Sequence, residues 1–183
     1  MVGQNEQLLV LVNEKDEAVG TMEKMEVHRK ALLHRAFSVF LFNSKGEMFL
    51  QRRALKKYHS GGLWTNACCS HPFPSETPSS AAMRRMKEEL GFDTPVESAF
   101  SFIYKAALDN ELTEYEFDHV LVGTYDGEVA LNEDEVGDFC FRSMEDLKEH
   151  VSHFPNKYTE WFKIALPMLE DYLVANKQSF NGN

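Results

Sequence analysis

Ser70-His71-Pro72-Phe73-Pro74-Ser75-Glu76-Thr77-Pro78-Ser79-Ser80-Ala81-Ala82-Met83-Arg84-Arg85-Met86-Lys87-Glu88-Glu89-Leu90-Gly91-Phe92, residues 70–92, carries the clearest helix signal in the chain. Thr77 suits the N-cap, Pro78 the first helical position and Gly91 the position after the end. Ala82, Met86 and Leu90 recur every four residues and give one apolar stripe for a core. Arg84 and Glu88 share a helical face, as do Arg85 and Glu89, because residues four apart are neighbours on a helix surface. Such a face can offer a cation to phosphate oxygens and a carboxylate to a divalent metal, the usual way of holding a metal–diphosphate. By spacing alone, the same residues read first as two exposed ion pairs, worth only about 0.2–0.5 kcal/mol each.

Upstream of this helix the pattern is β-rich. Residues 8–12 read as a strand, 13–16 as a turn and 18–22 as the returning arm of a hairpin. Residues 35–43, RAFSVFLFN, are apolar on both faces and predict a buried strand, with a turn at 43–46 and a partner strand over 47–53. Residues 54–63 form a loop and 64–69 a short strand. Downstream, residues 99–106 and 115–125 predict two strands split at Asp109-Asn110, and 135–141 a further one. Ser143 caps a short helix to about residue 151, and a final amphipathic helix covers about 156–175. This order predicts an α+β sandwich around one sheet. With no repeat or dividing linker, residues 1–183 are expected to form a single domain, with its core at about 5–175 and a frayed C-terminal tail.

Composition narrows the function. The chain has 43% hydrophobic and 26% charged residues, ordinary for a globular protein and unlike a disordered chain or a membrane bundle. A net charge of −10 repels nucleic acid and anionic membrane surfaces, so neither is an expected partner, and an anionic small molecule needs a local basic patch. The three cysteines, at 68, 69 and 140, suggest no disulfide framework. The N-terminus lacks a signal-peptide pattern, and the apolar run 8–12 is too short to span a bilayer. A cytoplasmic protein, monomeric or weakly homodimeric, is the expectation.

The most specific segment is Trp64-Thr65-Asn66-Ala67-Cys68-Cys69-Ser70-His71-Pro72. Cys-Cys-Ser-His alone suggests part of a zinc site, but no second cysteine pair exists to complete it. Cys68 and Cys140 read as small buried hydrophobes.

Residues 70–92 resemble the Nudix box, with Glu76, Arg84, Met86, Glu88, Glu89, Gly91 and Phe92 in register. Ser70 stands where the box has Gly, and Arg85 where it has Glu. Exchanging a metal-binding carboxylate for a guanidinium weakens a hydrolytic metal site and adds a phosphate ligand. The resemblance therefore implies diphosphate binding with poor cleavage. The Trp64–Pro72 run together with 35–43 is similar to the type I isopentenyl-diphosphate Δ-isomerases, over roughly residues 5–165. That resemblance implies a Nudix-type α/β/α sandwich around a mixed β-sheet, and interconversion of isopentenyl and dimethylallyl diphosphate in isoprenoid biosynthesis.

It also implies a set of site residues. His28, His34, His71, Glu114 and Glu116 correspond to a five-ligand metal site, a donor set that suits Mn²⁺, Fe²⁺ or Zn²⁺ better than Mg²⁺. Glu114 and Glu116, two apart on a strand, face the same way. Cys69 and Glu116 correspond to the proton-transfer pair, Tyr104 to the tyrosine assisting Glu116, and Trp161 to an aromatic facing a carbocation. A π-face stabilises a cation by about 0.5–2 kcal/mol. Lys24, Arg53, Lys57 and Arg85 correspond to the diphosphate-binding cations, with a Mg²⁺ expected between the diphosphate, the Glu89 carboxylate and the Cys69 carbonyl. Arg52 and Lys56 read as surface charge, and His59, His119, His150 and His153 as structural. Two rivals remain: a Nudix hydrolase, which would cleave the diphosphate without needing Cys69, and a Cys/His module whose metal only stabilises the fold.

Overall fold

The computed structural model describes residues 7–176; the expected fraying of residues 179–183 lies outside them. Nine strands and four helices follow in the order β1 (Leu8–Val12), β2 (Ala18–Glu23), α1 (Lys24–Lys30), β3 (His34–Phe42), β4 (Met48–Arg53), β5 (Trp64–Thr65), β6 (Cys68–Ser70), α2 (Pro78–Leu90), β7 (Val96–Ala107), β8 (Thr113–Thr124), β9 (Val136–Arg142), α3 (Met144–His153) and α4 (Glu160–Ala175).

β3 is the hub. It pairs parallel with β8 from His34↔Glu116 to Phe42↔Thr124, and antiparallel with β6 through Ser38↔Cys69. β1 and β4 touch its two ends, β7 extends the sheet beyond β8, and β5 and β9 flank β4. Its residues are apolar on both faces because both faces are covered. Phe40 and Phe42 pack with Trp161, Phe162, Leu166 and Leu169 of α4. Phe37, Val39 and Leu41 pack with Ala81, Ala82, Met86 and Leu90 of α2. The result is the expected helix–sheet–helix sandwich, and the Ala82/Met86/Leu90 stripe faces the sheet.

α2 begins and ends where its sequence says. Thr77 and Ser80 exchange a capping box: Oγ1 of Thr77 accepts from the Ser80 amide at 3.2 Å, and Oγ of Ser80 from the Thr77 amide at 3.0 Å. Gly91 ends the helix in the left-handed region, at φ 78°.

Three elements differ from the sequence expectation. α1 is a helix that periodicity does not announce. It has only seven residues, and its N-cap is Glu23, whose carboxylate accepts from the Met25 and Glu26 amides at 3.0 and 2.9 Å. The spacing from His28 to His34 is therefore a helical turn and a left-handed cap at Ala31 (φ 51°), a fixed geometry. Residues 64–69 are two strands, β5 and β6, split at Asn66-Ala67, because Asn66 spends its amide on backbone carbonyls. α4 starts at Glu160; the preceding residues, Pro155–Lys157, form a 3₁₀ turn.

Candidate functional site

β3, β6 and β8 bring their polar side chains to one end of the sheet, where α1 and the 54–63 loop close over them. The cleft there encloses about 480 Å³, part of it open to solvent. Cys69, His71, Tyr104, Glu114, Glu116 and Trp161 line it, together with Lys24, Arg53, Lys57 and Arg85.

One wall is a histidine cluster. His28, His34 and His71 are buried, and a ligand atom from each lies within 4.8 Å of the others and of a Glu116 oxygen. Nδ1 of His28 donates to the Lys24 carbonyl at 2.7 Å, and Nδ1 of His34 to the Leu32 carbonyl at 2.8 Å. Those bonds fix both tautomers and leave each Nε2 with a lone pair. Nε2 of His28 finds no hydrogen-bond partner among the described residues. Nε2 of His71 lies 3.2 Å from Nε2 of His34 and 3.0 Å from Oε1 of Glu116. Burial pushes His71 down to about 3 and also lowers His28, so these two imidazoles are held neutral. Converging neutral imidazoles, one with an unspent buried lone pair, beside an ionised carboxylate are a fitting donor set for a divalent ion.

Glu116 joins this cluster to a carboxylate–phenol system. The Tyr104 hydroxyl is 2.7 Å from Oε2 of Glu116 and 2.9 Å from Oε2 of Glu114. One hydroxyl carries one proton, so both contacts are satisfied only if a carboxyl supplies the second. Burial and the Glu116 charge raise Glu114, which makes it that carboxyl. Burial works against the Glu116 charge too, but the His34 and His71 contacts outweigh it and hold Glu116 well below the usual range. Glu114 stands apart from the histidine cluster and lies 3.5 Å from Nε2 of His59.

Cys69 enters from β6, across β3 from Glu116. Its Sγ accepts from the Trp161 indole N–H at 3.1 Å, and its thiol donates to Oδ1 of Asn66 at 3.0 Å. Ser38 Oγ lies 3.6 Å from the sulfur and donates to Asp118 at 2.7 Å. Burial, reinforced by the Asp118 charge, pushes the thiol up to about 12.

The cations gather at the cleft mouth. Lys24 packs over the Tyr58 ring at 4.7 Å; burial, then Lys57, Arg85 and Arg53, pull it down to about 8. Arg85 bonds Glu89 at 2.5 Å and Glu88 at 2.6 Å; burial opposes its charge, and Glu89 together with Cys68, Glu135 and Glu88 more than offsets that. Lys57 pairs with Glu135, which also lies 3.5 Å from Arg85. Arg53 sits 5.3 Å from the Trp161 ring and donates to the His59 carbonyl. Glu89 lies behind Arg85, with Gln51 3.1 Å from its second oxygen. Glu76 pairs with Arg84 at 2.6 and 2.8 Å, away from the cleft, and fixes the approach to α2. Arg52 and Lys56 pair outward with Asp138 and Asp134, as surface charges do.

His59 corrects the sequence expectation. It is 4% exposed and lines the cleft, because the 54–63 loop folds inward over the site. No motif marks it. Tyr58, Ser38, Asn66, Asp118 and Glu135 were likewise given no role by the sequence, and only strand pairing and loop closure bring them to the site.

Residues 32–162 match the NUDIX domain family. The chain is 48% identical to "Isopentenyl-diphosphate Delta-isomerase 2" of Photorhabdus laumondii over 158 residues, covering 86% of this chain and 89% of that protein. It is 43% identical to the isopentenyl-diphosphate Delta-isomerase of Serratia proteamaculans, covering 94% of each. Among solved structures, DR0079 from Deinococcus radiodurans aligns with a TM-score of 0.66 at 21% identity, over 80% of this chain and 89% of that one. A MutT protein from Methanosarcina mazei Go1 aligns at 0.64 and 18%, over 80% and 96%. The solved structures share the fold, whereas the identities of 43–48% run over most of the chain. On this evidence the chain belongs to the NUDIX family and, within it, to the isopentenyl-diphosphate Δ-isomerases.

Proposed function

We propose that the protein interconverts isopentenyl and dimethylallyl diphosphate in isoprenoid biosynthesis by proton addition and removal through a tertiary carbocation, with the acid–base work done by Cys69, Glu116 and Tyr104. The observation that carries this reading is one cleft holding a thiol on β6 and a buried carboxylate–phenol pair on β7 and β8, beneath an indole and beside four cations. Protonating an unactivated alkene requires a positioned acid, little water and a countering of positive charge. Adding a proton at C4 leaves the cation at C3, and losing a proton from C2 completes the shift. The two proton-transfer groups enter from strands on either side of β3, so delivery and removal fall to different faces of the alkene. The Trp161 ring is held beside Cys69 by its own N–H bond, and in this reading its π-face meets the cation.

Lys24, Arg53, Lys57 and Arg85 bind the diphosphate, with Glu135 and Glu89 fixing Lys57 and Arg85. His28, His34, His71 and Glu116 would hold one Mn²⁺, Zn²⁺ or Fe²⁺, with Glu114 a fifth ligand only after losing its proton and turning from Tyr104; Glu89 and the Cys69 carbonyl would hold a Mg²⁺ for the diphosphate. The buried ion supplies a fixed positive charge that orients Glu116 and tunes its acidity. Arg85, standing where a hydrolase has a carboxylate, favours retention of the diphosphate over its cleavage.

Proton and phosphorus NMR of the pure protein with isopentenyl diphosphate, Mg²⁺ and Mn²⁺ in D₂O tests this. Deuterated dimethylallyl diphosphate with both phosphorus signals still coupled is the expected product. Free phosphate or pyrophosphate without an isomer would make the protein a hydrolase and strip Cys69 and Glu116 of these roles.

A further inference from the structure

Six side chains form a circuit around the inner half of the cleft. The Trp161 N–H reaches Cys69 at 3.1 Å, and the Trp161 ring meets the His59 ring edge-on at 6.0 Å. His59 Nε2 lies 3.5 Å from Glu114, Glu114 2.9 Å from the Tyr104 hydroxyl, and that hydroxyl 2.7 Å from Glu116. β3 then separates Glu116 from Cys69. Five members have a part in moving protons, meeting the cation or placing a metal. His59 alone has none, yet it is the link between the indole side and the carboxylate side.

The His59 ring is also firmly held. Its Nδ1 is 3.1 Å from the Ser60 hydroxyl, and its carbonyl accepts from Arg53 Nη2 at 3.2 Å. The next residue, Ser60, is left-handed at φ 51°, and its amide donates to Asp109 at 3.2 Å across the 108–112 turn. Asn110 in the same turn donates to the Tyr58 carbonyl at 3.1 Å. A planar ring pinned on both sides and 4% exposed makes a stiff wall.

We propose that His59 is a specificity-determining residue: its ring closes the prenyl half of the cleft and limits the size of the branch the site accepts at the carbon bearing the methyl group. This inference rests on the functional reading above. The chemistry itself is indifferent to one added carbon there, since an ethyl branch forms an equally tertiary cation. The wall decides.

The test compares kcat/KM for isopentenyl diphosphate with that for 3-ethyl-3-butenyl diphosphate, in the parent enzyme, His59→Ala and His59→Phe. One methylene in a closed pocket is worth roughly 10–200-fold in discrimination. In His59→Ala the ratio of homologue to five-carbon substrate should rise by at least about tenfold. His59→Phe, which restores a ring, should return it towards the parent value. Disturbance of Glu114 slows both substrates alike and cancels in the ratio. Should His59→Ala fail to fold, His59→Gln keeps a polar head near Glu114, removes the ring and carries the same expectation. An unchanged ratio in an active ring-less variant, or an equal rise in His59→Phe, overturns the proposal. A parent enzyme that isomerises no five-carbon substrate would sink the functional reading and this inference with it, a result distinct from an unchanged ratio.

Discussion

At the scale of single residues, burial sets the chemistry. The Cys69 thiol and the Glu116 carboxylate sit in the same cleft but are pushed in opposite directions: burial raises the thiol to about 12, while two imidazoles keep Glu116 ionised. Cys69→Ala should lower turnover by at least about a thousandfold, the scale on which loss of a general acid–base group acts. The loss of the thiol's hydrogen bonds, which leaves the buried Trp161 N–H without its acceptor, should cost about 1–3 kcal/mol of stability. NMR turnover and thermal unfolding on the same sample check both halves, and retained turnover would remove Cys69 from the mechanism. Lys24 gives a pH prediction. In the proposed function its charge holds the diphosphate, and burial with three neighbouring cations lowers it to about 8. A lowered base is charged below that value and neutral above it, so KM should be flat below pH 8 and rise above it. Initial rates across pH 6.5–10 should show the bend near the lowered value, and Lys24→Arg should remove it, because a guanidinium stays charged throughout.

Among the elements, α2 is the one whose ends are both written locally. Thr77→Ala should cost about 1 kcal/mol, the usual worth of an N-cap. Gly91→Ala should cost more, by two separate routes. The backbone there is left-handed, worth about 1–2 kcal/mol against a side chain, and an added Cβ would sit 2.8 Å from Ala130. Urea unfolding of the two variants ranks them, and a Gly91→Ala variant no weaker than Thr77→Ala would refute the close approach. α1 shows the opposite case. Seven residues cannot form a helix alone. Glu23 caps it, and Val27 and His28 pack inward, so it exists because the fold needs His28 at that place. A sequence reading that looks for long periodicity passes over it.

Over the whole molecule, the histidine cluster ties α1, β3, the residue after β6 and β8 to one point. Four ligand atoms converge there from segments far apart in sequence. An ion bound only in the folded state stabilises it by about 2.7 kcal/mol at a hundred times its dissociation constant. For a chain of this size that is roughly 5–10 °C in Tm. Differential scanning calorimetry with Mn²⁺ against a chelator should show a rise of that order. His71→Ala should abolish most of the rise, and an unchanged Tm on chelation would count against a structural contribution from the ion. No helix among the described residues is long and apolar enough to cross a membrane. Against the net charge of −10, the cleft with its four cations is a local exception, and in the proposed function it is what draws an anionic substrate.

The sequence by itself determined the elements whose cause is local. The α2 helix with its caps, the doubly apolar β3 and the hairpin arms all follow from adjacent residues. Family resemblance named Cys69, Glu116, Tyr104, Trp161 and the four cations, and the fold brings all of them to one cleft. What only the tertiary structure decided has a common physical reason: it depends on residues meeting across the sheet or over a loop. The fixed tautomers of His28 and His34 come from backbone carbonyls that only a formed turn supplies. Glu114 and Glu116 are identical in type and two apart, yet one is raised and the other lowered, because only Glu116 meets the His34 and His71 imidazoles. His59 sits in an unpatterned loop and reaches the cleft because Arg53, Ser60 and the 108–112 turn pull that loop inward. Local pattern fixes most of the elements, α1 being the exception; desolvation and long-range contact fix what their side chains can do.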